Sequence, residues 1–179
     1  MYFESAGKLN TQKTIELAIK ASMDRNIQDI VVASNTGYTA EFLKGLDKNI
    51  VVVTHVNGFK EPGVMEMPRE TIEKLKGYGF NVYTGTHVLS GAERGLSRKF
   101  TGVYPVEIIA NSLRMFGQGV KVAVEISVMA LDAGLIPYGK DIIAIGGTGY
   151  GADTAVILRP SHAATILDTK VKEIICKPL

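Results

Sequence analysis

Short apolar runs rich in β-branched residues constrain this chain most. Ile30-Val31-Val32-Ala33, Ile50-Val51-Val52-Val53 and Ile142-Ile143-Ala144-Ile145 show no alternation of polar and apolar side chains. A strand with one wet face alternates, so these runs need apolar cover on both faces, as in a parallel sheet between helical layers. The segments between them supply the helices. Ile15, Ala18, Ile19 and Met23 follow helical spacing, with Asn10 or Thr11 as cap. A second helix is expected from about Thr39 through Leu43. A third begins at Pro68 and ends at Gly77 or Gly79. Val106, Ile109, Leu113 and Phe116 predict another, and Val120 to Ala133 a long one.

Val82-Tyr83-Thr84, Thr154 to Leu158 and Val171 to Cys176 complete the expected strands. Too few residues separate Ile145 from Ala155 for a parallel crossover, so the Thr154 strand must run antiparallel. No repeat or linker interrupts the pattern, which predicts one α/β domain over residues 1–179. From Gly85 to Tyr104 the periodicity fades, and a binding loop is expected there, with Arg94, Arg98 and Lys99 as a basic lid.

Two loops carry the chemistry. Ser34-Asn35-Thr36-Gly37-Tyr38-Thr39 leaves a strand and opens a helix. Free N–H groups, the hydroxyls of Ser34, Thr36 and Thr39, and the bare backbone of Gly37 suit a phosphate, without requiring Lys or Arg. Gly146-Gly147-Thr148-Gly149-Tyr150-Gly151 has more glycines than a turn needs, which predicts a backbone surface against ligand at Gly147, Thr148 and Gly149. It lacks the Lys-Ser/Thr of a P-loop, and a strand follows it where a dinucleotide fingerprint has a helix. His55 and His87 each follow a Thr at the end of an expected strand. If those strands are parallel, both imidazoles share the carboxyl edge with the two loops, where open α/β sheets bind ligands. Lys121, Glu125 and Asp132 fall on one stripe of the long helix and read as a narrow solvated face.

Charge excludes some partners. Lys and Arg total 20 against 18 Asp and Glu, a balance that favours neither nucleic acid nor an anionic membrane. The single cysteine, Cys176, rules out an intrachain disulfide and suits a reducing compartment. With no leader-like N-terminus and no long apolar run, a cytoplasmic location is expected, and a homo-oligomer is compatible with the sequence. No ligand spacing suggests a metal.

The two loops and their order resemble the C-terminal α/β domain of pyruvate kinase. That family carries a Thr/Ser-x-Ser/Thr-Gly-x-Ser/Thr-Ala loop after its first strand, here Ser34 to Ala40, and a Gly-rich loop between its fourth and fifth strands, here Gly146 to Thr154. The resemblance implies a three-layer α/β/α fold of strand order 3-2-1-4-5 with strand five antiparallel, to which this chain adds a C-terminal strand. In pyruvate kinases the first loop holds a phosphate of a sugar bisphosphate. The catalytic barrel of those enzymes is absent here, so their phosphoryl transfer is not implied. The chain looks like a stand-alone, largely archaeal branch associated with FMN. The expected ligand is therefore a phosphorylated small molecule, FMN first, with a flavin-dependent oxidoreductase as one reading and a non-enzymatic sensor of a phosphorylated metabolite as the alternative. For FMN, Tyr38, Tyr150, Phe100 and Tyr104 would wall the ring, and His55, Asn57, Thr86 and His87 would bond its edge.

Overall fold

The computed structural model describes all 179 residues. Seven strands form one sheet: β1 (Tyr2–Phe3), β2 (Asp29–Ala33), β3 (Asn49–Val53), β4 (Asn81–Tyr83), β5 (Ile142–Gly146), β6 (Thr154–Arg159) and β7 (Lys170–Pro178). The helices are α1 (Thr11–Asp24), α2 (Tyr38–Glu41), α3 (Arg69–Gly77), α4 (Gly91–Phe100), α5 (Pro105–Arg114) and α6 (Gln118–Asp132). The sheet order is β1-β7-β6-β5-β2-β3-β4. β5, β2, β3 and β4 are mutually parallel, and β6 is antiparallel to β5. The five strands β4-β3-β2-β5-β6 thus follow the expected 3-2-1-4-5 order. β7 extends the sheet antiparallel to β6, and β1 pairs in parallel with β7. β1 was not foreseen: two residues carry no periodicity, and they form a strand because β7 offers them an edge.

The apolar runs are buried on both faces. Ile30, Val32, Ile50 and Val52 pack with Ile15, Ala18, Leu43 and Leu75 of the α1–α2–α3 layer. Their neighbours Val31, Val51 and Val53 face the opposite way, against Val120, Val124 and Leu131 of α6. Each fully buried Ile or Val contributes about 1.5–3 kcal/mol by leaving water. Alternate residues of one strand serve two layers, which is why the runs show no polar positions.

Pro68 precedes α3 as its cap residue, as the sequence suggests. The expected loop over Gly85 to Tyr104 is instead largely helical. α4 occupies Gly91–Phe100 and has no buried residue. It is held by polar contacts with α5: Glu93 accepts the Val106 N–H at 2.8 Å, and Ser97 donates to Glu107 at 2.7 Å. Its apolar positions, Ala92, Leu96 and Phe100, are helically spaced but sparse and lie in a polar, Gly-containing segment, with Leu96 and Phe100 exposed. No helix is long and apolar enough to cross a membrane.

Candidate functional site

A cleft of about 280 Å³ opens at the carboxyl edge of β2, β3 and β5, close to the usual size of small-ligand pockets. β2 has β3 on one side and β5 on the other, so this is the point where the strand order reverses. Parallel strands deliver Ser34 to Thr39, His55 and His87 to the same edge, and the β5–β6 turn delivers Gly147 and Gly149 to Gly151.

The first loop presents unused polar groups. Ser34 and Thr39 are 5% and 3% exposed and line the cleft, and their hydroxyls make no hydrogen bond within the protein. The little surface each residue keeps opens into the cleft, where water or a ligand can bond to it. Thr36 Oγ1 lies 3.3 Å from the Tyr150 hydroxyl, linking the two loops. Gly37 plays a different part from the one expected. Its φ of 90° favours glycine, but a Cβ there would press on Thr71 of α3, 2.5 Å away. Gly37 therefore lets the loop dock on α3 and does not itself line the cleft. The helix it opens has four residues, too short for much dipole.

Positive charge comes from the other layer. Lys121, Arg94 and Arg114 line the cleft from α6, α4 and α5. Lys121 and Glu125 contradict the expected solvated stripe. Each is 5% exposed and they form an ion pair, while Asp132 on the same stripe is exposed. The stripe faces inward near the start of α6 because α4 and α5 close over it. Glu125 also accepts the Leu89 N–H at 3.0 Å. Burial pulls the Lys121 pKa down, and Glu125 partly offsets that. Of the expected basic lid, Arg94 lines the cleft; Arg98 and Lys99 do not.

The imidazoles are held in place. Asn35 Nδ2 donates to His55 Nε2 at 3.0 Å, which leaves the ring proton on Nδ1, 2.8 Å from Glu66 Oε1. Glu66 also pairs with Lys60 at 2.8 Å. Burial opposes ionisation of Glu66, but the hydrogen bonds from Lys60 and His55 outweigh it and lower its pKa. Phe59 stacks on His55 with centroids 3.8 Å apart, and the two imidazoles are 5.4 Å apart. His87 Nε2 accepts the Val56 N–H at 3.3 Å. Burial lowers the His87 pKa and Glu125 partly counteracts this, so the ring is neutral at pH 7.

The Gly-rich loop is braced from below. Asp153, fully buried, accepts from the N–H groups of Gly7 (2.9 Å) and Thr148 (3.1 Å) and from the Thr154 hydroxyl (2.8 Å). Thr148 itself does not line the cleft. Tyr150 then stacks on Tyr38 at 5.2 Å, under the Lys8 ammonium. Asn57 and Thr86 are exposed and do not line the cleft, and neither do Phe100 and Tyr104. Phe59, Glu66, Lys121, Arg114 and Asp153 escaped the sequence reading. Of these, Lys121 had a signal, being a charge within a buried helix.

Fold and cleft together define an α/β domain with a polar cleft at the switch point of a mostly parallel sheet. The family model described as pyruvate kinase, alpha/beta domain, matches residues 12–158, and the chain belongs to that family. Among solved structures, it is similar to a pyruvate kinase from Cryptosporidium parvum at 17% identity and TM-score 0.42, over 82% of this chain and 22% of that one. A Cryptosporidium parvum pyruvate kinase in complex with ADP matches at 16% identity and TM-score 0.42, over 90% and 23%. The chain thus spans less than a quarter of these enzymes.

Proposed function

We propose that the cleft binds a phosphorylated aromatic cofactor, FMN. The observation that carries this reading is the pair of cleft-lining hydroxyls of Ser34 and Thr39, unpartnered within the protein, beside a rim of aromatic rings. A phosphate accepts from both hydroxyls and from Thr36. The ring system packs against Tyr38, Tyr150 and Phe59, with Asn35 and His55 at its polar edge. Tyr150 and Phe59 are 47% and 44% exposed, so both rings can swing outward to admit a ligand larger than the closed cleft. FMN, when bound, supplies reversible electron transfer at its ring, which is the basis of the oxidoreductase reading. A second reading, a non-enzymatic sensor of a phosphorylated metabolite, is favoured by the imidazoles. Both are engaged within the protein, His55 through both ring nitrogens and His87 through Nε2. Titration with FMN, riboflavin and a sugar phosphate decides between them. The FMN reading expects tight binding of FMN, weak binding of riboflavin and little of the sugar phosphate. Preference for the sugar phosphate supports the sensor.

A further inference from the structure

The phosphate loop and the cationic groups reach the cleft from opposite layers. The Ser34 to Thr39 loop continues into α2, whose Ala40 belongs to the core shared with α1 and α3. Lys121 and Arg114 stand on α6 and α5, which cover the other face of the sheet, and Arg94 stands on α4, packed against α5. These three cations face one carboxylate, Glu125. The Lys121 side chain is 7% exposed and spends one of its three N–H groups on Glu125, with no other protein acceptor. Arg114 bonds to the neutral side chains of Gln118 and Asn111, and Arg94 has no carboxylate partner.

Two positive charges are therefore in excess beside a buried ammonium with unfilled donors, an arrangement that attracts an anion. We propose that Lys121, Arg94 and Arg114 form a second oxyanion subsite, separate from the phosphate loop, that takes the carboxylate of a small organic acid. Guanidinium forks match a carboxylate edge in two parallel hydrogen bonds. Glu125 offsets one of the three positive charges, so the attraction is to anions generally, and the planar carboxylate edge that a guanidinium fork fits is what selects the acid. The subsite rests on the charges of α4–α6 and stands whether or not the first ligand is FMN.

The test is an NMR titration of the whole chain with succinate, with and without saturating FMN. Succinate is expected to shift the side-chain resonances of Arg94 and Arg114 and the amide of Lys121, and to leave Ser34 to Thr39 unmoved. The double variant Arg94→Gln/Arg114→Gln, altered at two exposed positions, should bind succinate roughly tenfold more weakly or worse, as expected for losing charge-assisted bonds. Thr39→Val should bind it normally. Unchanged affinity in the arginine variant, loss of succinate in Thr39→Val, or displacement of succinate from the arginines by inorganic phosphate would each overturn the proposal. Failure of FMN to bind is read separately from flavin fluorescence and leaves the succinate result standing.

Discussion

Asn35 donates to His55 across the ends of two adjacent parallel strands, at 3.0 Å. One hydrogen bond thereby joins the phosphate loop to the imidazole that Glu66 orients from behind. The two loops are parts of a single site because parallel pairing brings their strand ends to one edge.

The phosphate loop gives the most selective prediction. Thr39→Val removes a hydroxyl without changing shape, and a charge-assisted hydrogen bond contributes about 1.5–3 kcal/mol. FMN affinity should fall roughly tenfold or more, while riboflavin, which lacks the phosphate, changes little. Equal losses for both ligands would separate Thr39 from the phosphate.

The Lys121–Glu125 pair should dominate local stability. Lys121→Met leaves Glu125 charged and unpaired in a buried wall, at a cost of about 3–5 kcal/mol. Lys121→Met/Glu125→Leu should recover much of that loss, since the lone charge is gone. Urea unfolding of both variants checks the order; a single variant as stable as the wild type contradicts it.

Stability should also depend on pH through His87. Its pKa lies below the ordinary 6.5 when folded, because burial disfavours the charged ring. The unfolded chain therefore binds the proton first as pH falls. The contribution is complete above about pH 6.5 and is lost as pH drops from there through the folded value. Protonation also costs the Val56 N–H its acceptor. His87→Asn should flatten this part of the stability profile, and an unchanged slope would assign it elsewhere.

Asp153 should control the Gly-rich loop. Asp153→Asn keeps the size of the side chain but replaces a carboxylate that three donors share. A loss of about 1.5–3 kcal/mol is expected, with faster amide exchange at Gly7 and Thr148. Gly149→Val, by contrast, meets no atom within 4 Å, so its effect should come from its φ of 74° alone. Gly147, whose Cβ would press on the Gly151 carbonyl and on Ala152, tolerates substitution less.

The strands were legible because their side chains serve two apolar layers, which leaves no polar position to confuse the pattern. The antiparallel turn at β6 was legible from chain length alone. The cleft was legible where backbone chemistry builds it, at Ser34 to Thr39 and at Gly147. It was hidden where tertiary packing decides. α4 is held by polar contacts, and its few apolar residues, Ala92, Leu96 and Phe100, stay out of the core. Lys121 and Glu125 have the spacing of a wet stripe, and their burial follows from α4 and α5 lying over them. Asn57 and Thr86, expected at the ring edge, lie just beyond β3 and β4 but are exposed, because residue type alone does not set which way a side chain points.

The visible absorption spectrum of the protein, purified without added cofactor and then titrated with FMN, tests the central claim most directly. The account predicts flavin bands that saturate at one FMN per chain and weaken sharply in Thr39→Val. A colourless protein whose spectrum and fluorescence stay those of free FMN throughout the titration would contradict it.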